Sequence, residues 1–146
     1  SVFDGRSLAA VGVACHEAGH ALQHADEYAP LQLRSIMVPV ASFGSWAAFP
    51  IIFLGAFMGA VNLVWLGILI FTAIVLFQIV TLPVEFNATA RAKRALEDLQ
   101  IINNRQEQAG VAKVLDAAAL TYVAAAVSSI GTLVYYVLIF TGMGRD

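Results

Sequence analysis

Residues 35–84 read SIMVPVASFGSWAAFPIIFLGAFMGAVNLVWLGILIFTAIVLFQIVTLPV, a run without one charged side chain. The hydrocarbon core of a bilayer, about 30 Å thick, takes roughly 20 apolar residues per helical crossing. The run therefore predicts two spans, over residues 44–60 and 64–81, joined by a tight turn at Gly59 to Leu63 that contains Asn62. Trp46 near the start of the first span suits an interfacial aromatic belt, and Pro50 is tolerable where neighbouring helices satisfy the freed carbonyl. A second uncharged run, Ala117 to Gly144, predicts a third span over 117–141. The whole composition agrees: of 146 residues, 60% are hydrophobic and 12% charged, with mean hydropathy +0.78. Such a chain is expected to be an all-α membrane protein forming one domain over 1–146.

The charges that remain fall in two blocks, Asp4 to Arg34 and Glu85 to Asp116, followed by Arg145 and Asp146. A net charge of -2 and the absence of an aromatic-interleaved basic pattern argue against a nucleic-acid partner. Arg6, Arg34, Arg91, Lys93, Arg94, Arg105 and Lys113 all flank the ends of the hairpin, so the positive-inside rule places those ends in the cytoplasm. The lone Cys15 excludes an intrachain disulfide and reads as a small packed residue. The chain begins at Ser1, with no signal-like segment ahead of it, and is expected to continue upstream in the natural protein.

The first block carries His16-Glu17-Ala18-Gly19-His20. Ser7 can cap a helix running to about Tyr28 and ended by Pro30. On that helix two histidines four apart share a face, and neutral imidazole nitrogens suit Zn²⁺. Glu17, directly after the first histidine, is placed to act as general base toward a water activated by the metal. Chance occurrence on an ordinary helix is the competing reading of three fixed positions. Ala9, Gly12, Val13 and Gln23 lie on the same side as His16 and His20. Gly19 costs roughly 1 kcal/mol against alanine in a helix, which points equally to a close backbone approach at the site or to ordinary close helix packing. His24 sits too far along the helix to join one ion with the other two, which leaves it facing solvent or supporting the site.

Glu85 is the first charge after the apolar run. An acid at the membrane edge is costly unless it pairs or ligates, so Glu85 is the expected third metal ligand, completing a His₂Glu set with an open fourth position. The alternative is an acid at a helix N-terminus, with Pro83 in the first turn. Beyond it, a helix to about Gln100 would bury Ala92, Ala95, Leu96 and Leu99, and Arg91 would anchor at the membrane surface or contact substrate. Asn103 to Arg105 reads as a loop and residues 106–116 as a short helix weakened by Gly110. Tyr122, near the start of the last span, is either an oxyanion-stabilising phenol or an interfacial anchor.

Together these stretches resemble the YugP-like neutral zinc metallopeptidases of bacterial membranes. The resemblance rests on His16 to His20, the charge-free hairpin, and Leu82-Pro83-Val84-Glu85-Phe86-Asn87-Ala88. Tyr28-Ala29-Pro30-Leu31, Arg34 and Ala119-Leu120-Thr121-Tyr122-Val123-Ala124 extend it over nearly the whole chain. More distantly the chain is similar to HtpX and the CAAX prenyl proteases, in which an Ala-Asp pair follows the glutamate where Ala88-Thr89 stands here. Members of the YugP-like family also carry a further span and a polar segment ahead of the motif.

The expected function is thus zinc-dependent endopeptidase action on polypeptide segments at the cytoplasmic face of the cell membrane. His16, His20 and Glu85 would hold Zn²⁺, Glu17 would move the proton, and Tyr122 would assist. Lipid is the expected surrounding, and association with other membrane subunits is compatible with the sequence. The alternative is a non-catalytic membrane subunit of a larger complex that keeps a structural or relic zinc site.

Overall fold

The computed structural model describes residues 7–142, so Arg6 and Arg145 lie outside the described residues. The described residues form four helices and no strand: α1 (Leu8–Ala25), α2 (Ala29–Met58), α3 (Val61–Asp98) and α4 (Arg105–Thr141). The expected all-helical class holds, and α2, α3 and α4 are each long and apolar enough to cross a membrane. Their most apolar stretches are only 11–33% buried within the protein. Side chains such as Trp46 and Phe57, 79% and 91% exposed, therefore point outward. Water would penalise that exposure, whereas lipid does not.

Several boundaries differ from the expected ones. Ser7 caps α1 as anticipated, its hydroxyl accepting from the Ala10 amide at 3.1 Å. The helix nevertheless ends at Ala25 rather than near Tyr28, and Glu27 turns into the left-handed region at φ 51°. Pro30 does not end it; it lies in the first turn of α2, where a missing N–H costs nothing. Pro83 likewise starts no new helix, and α3 runs through it, as α2 runs through Pro39 and Pro50. Residues 106–116 and the last apolar run are one helix, α4. Gly110 does not interrupt it, because the Leu8 side chain packs against its bare backbone.

The chain divides into two compact units. One comprises residues 33–80 and 124–142 and contains the helical hairpin. Gly59 supplies the positive φ of 66° that closes the turn, and the Ala60 amide donates back to the Gly55 carbonyl at 2.8 Å. Its core has two clusters, Ala48 with Phe71, Ile74 and Val75, and Ile52 with Val64, Ile68 and Phe140.

The other unit comprises residues 7–32 and 81–123. Ala92, Leu96, Val111 and Leu115 form its core, with Val11, Cys15 and Ile102 packed against them. Burial pushes the Cys15 thiol above its ordinary pKa, consistent with a neutral packing group. Leu99, expected in this stripe, is 69% exposed because α3 has already ended at Asp98. Lys93 pairs with Asp116 and ties α3 to α4 in this unit.

Candidate metal centre

The geometry of the centre starts with a glycine. A Cβ on Gly19 would lie 2.2 Å from the Ala88 carbonyl oxygen and 2.9 Å from its carbon. Both are backbone atoms and cannot rotate away, so only glycine lets α1 sit this close to α3. The resulting contact sets the histidine face of α1 over the turn of α3 that begins at Val84.

Three side chains meet there. Among the described residues, His16, His20 and Glu85 are the group able to hold a metal ion, each offering one atom within 4.8 Å of the others. His16 Nε2 lies 2.9 Å from Glu85 Oε2, His20 Nε2 lies 3.4 Å from the same oxygen, and the two Nε2 atoms are 3.1 Å apart. A tetrahedral ion with zinc-like bonds of about 2.05 Å would separate its ligand atoms by roughly 3.3 Å. The triangle therefore has the size that such an ion requires. Glu85 is only 1% exposed, and the histidine side chains 14% and 20%. Burying a carboxylate costs free energy unless it is paired or coordinates a metal, and both histidines aim at that carboxylate.

The ring state of His20 follows from its surroundings. Gln23, fully buried, donates through Nε2 to the Val84 carbonyl at 2.7 Å and to Asn87 Oδ1 at 3.1 Å. A backbone carbonyl can only accept, so the Gln23 amide nitrogen is fixed on that side and its Oε1 faces His20. His20 Nδ1, 2.9 Å away, must donate to Oε1. In the neutral ring Nε2 then carries a lone pair, directed at Glu85 and His16. A carboxylate oxygen and a lone-pair nitrogen converging on one small volume match the donor set of a divalent cation.

The support extends outward. Asn87 Oδ1 also accepts from Arg91 Nε at 2.7 Å, Arg91 Nη1 pairs with Asp26, and the guanidinium lies over the Tyr28 ring, 5.7 Å from its centre. Arg91, expected as a membrane anchor or substrate contact, is thus engaged within the protein by Asn87, Asp26 and Tyr28. Thr89 is buried one turn beyond Glu85, while the orienting bond to His20 comes from Gln23.

The remaining expected residues are placed as follows. Glu17 follows His16 on α1, about 100° around the helix, and is exposed. His24 is exposed at the end of α1. Tyr122 lines a cleft on α4 whose wall includes His16. Gln23 had been placed only on the histidine side of α1, and Asn87 and Asp26 had no expected role. The spacing of Gln23, three residues after His20 on a helix, was a usable signal. The pairing of Asp26 with Arg91 joins residues far apart in sequence and left no local trace.

Replacing Gln23 with leucine keeps the bulk but removes the acceptor for His20 and the donor for Val84. Zinc affinity, measured by competition with a chromophoric chelator, is expected to fall by about 10–100-fold. Unchanged affinity would show that Gln23 does not orient the ring.

Residues 1–141 match the protein family described as "Putative neutral zinc metallopeptidase". The chain is 52% identical over 146 residues to "Putative membrane protease YugP" of Bacillus subtilis strain 168, an overlap covering 99% of this chain and 64% of that protein. The chain thus spans less than two thirds of that relative's length. No solved structure is a significant match.

Proposed function

Because the chain belongs to the neutral zinc metallopeptidase family, we propose that it is a zinc-dependent endopeptidase of the cell membrane. The observation that carries this reading is the meeting of His16, His20 and Glu85 at one point. Three protein ligands is also the number used by catalytic zinc sites, which keep one position for water or substrate.

Zinc bound there would act as a Lewis acid on the substrate carbonyl and lower the pKa of a bound water to about 7. The chain's own groups do the rest. His16 and His20 bind through Nε2, the latter held in register by Gln23, and the Glu85 carboxylate supplies negative charge. Glu17 takes the proton from the attacking water and delivers it to the departing amine. Its exposure on α1 leaves it open to water and substrate. Tyr122, on the cleft beside His16, is the group in this reading that steadies the developing oxyanion. Substrates are extended polypeptide segments at the membrane surface. The basic residues flanking the apolar runs support a cytoplasmic side for the centre, by the positive-inside rule.

The purified chain in detergent tests this. Hydrolysis of an unstructured polypeptide is expected to stop when a strong chelator strips the metal and to return with one equivalent of zinc. Hydrolysis indifferent to chelation, or none from protein loaded with one zinc, would overturn the proposal.

A further inference from the structure

Apart from Tyr122 and His16, the mechanism leaves unused the cleft beside the metal group. Its volume is about 170 Å³, and its walls are Gly12, Val13 and His16 of α1 with Val114, Ala118 and Tyr122 of α4. Leu115, 1% exposed, lies among the same lining residues. Val13 and Tyr122 are 46% and 36% exposed, so the cleft opens to the outside. Its lining contains no acidic or basic side chain apart from the His16 ring, which is shared with the metal group.

From this shared wall we infer that the cleft is a specificity subsite that takes one apolar substrate side chain, of leucine to phenylalanine size, next to the scissile bond. The inference rests on the peptidase reading above. Successive Cα atoms of a peptide are only 3.8 Å apart. A carbonyl held at the His16, His20 and Glu85 group therefore has a neighbouring side chain within reach of the other side of the His16 ring. Size and polarity then select that side chain. A cavity of roughly 150 Å³ holds a benzene-sized group, so the cleft accommodates an isobutyl or benzyl side chain and is underfilled by a methyl. A carboxylate entering it would lose water and meet no Lys or Arg, only the Thr121 and Tyr122 hydroxyls and the His16 ring, among otherwise apolar walls. Gly12 matters for the width of the floor: a Cβ there would come within 2.7 Å of Val114 Cγ1.

The test uses nine-residue glycine and serine peptides with one central guest residue, Leu, Phe, Ala or Asp. Each carries a fluorophore, and binding to zinc-loaded Glu17→Gln protein is read by anisotropy. The Leu and Phe peptides are expected to bind about tenfold or more tightly than the Ala and Asp peptides. Ala118→Phe, which fills the cleft from α4, is expected to erase that preference with zinc content unchanged. Val13→Phe, at the more exposed wall, is the second variant and should act in the same direction. Equal binding of all four peptides, as when a lipid or detergent chain occupies the cleft, would overturn the subsite, as would a preference that survives both variants. If the Leu peptide binds preferentially yet the unmodified chain does not cleave it, the peptidase reading fails while the subsite stands.

Discussion

Replacing Glu85 with alanine is expected to weaken zinc binding by more than about 100-fold, leaving the purified protein essentially free of the metal. Losing a partner that only orients a ligand costs about 10–100-fold, and Glu85 is proposed as a ligand itself. It also supplies the only negative charge in the group, since His16 and His20 bind as neutral rings. Glu85→Gln keeps the volume and one oxygen, so it separates the loss of charge from the cavity left by alanine. Elemental analysis gives the zinc content and circular dichroism the retained helix. Full zinc occupancy in a folded Glu85→Ala protein would remove Glu85 from the ligand set and leave its burial beside two histidines unexplained.

The second large effect is expected at Glu17. Glu17→Gln should lower hydrolysis by about 10²–10⁴-fold, the usual contribution of a positioned proton-transfer group. Zinc affinity should change little, because Glu17 points about 100° away from His16 around α1. The contrast with Glu85 is the informative part. Under the proposal, one carboxylate would control the metal, whereas the other would control what the loaded protein does. Parallel loss of zinc and activity in Glu17→Gln would instead make Glu17 part of the metal's support.

The ease with which these residues were found varied for physical reasons. His16 and His20 show in the sequence because their ligand spacing equals a helical repeat, and Glu85 because a lone acid after fifty uncharged positions has few inexpensive roles. The spans show because lipid demands long charge-free runs. Prolines misled: Pro30 and Pro83 look like helix boundaries, yet one opens α2 and the other lies within α3. Local propensity is a weak guide where tertiary packing holds a helix together across one missing amide donor. Gly19 indicated a close approach, but only the structure identifies the Ala88 carbonyl as the partner. The chain of bonds from His20 through Gln23 and Asn87 to Arg91 and Asp26 was the least legible part. It joins α1 to a turn more than sixty residues away, and nothing in either local pattern marks the pairing.

X-ray absorption at the zinc edge of the zinc-loaded chain tests the central claim most directly. The expected first shell is nitrogen and oxygen only, at about 2.0–2.1 Å, with the outer-shell signature of two imidazoles. A zinc–sulfur distance near 2.3 Å would place Cys15 in the shell. That result, or the signature of a single imidazole, would contradict a centre built from His16, His20 and Glu85.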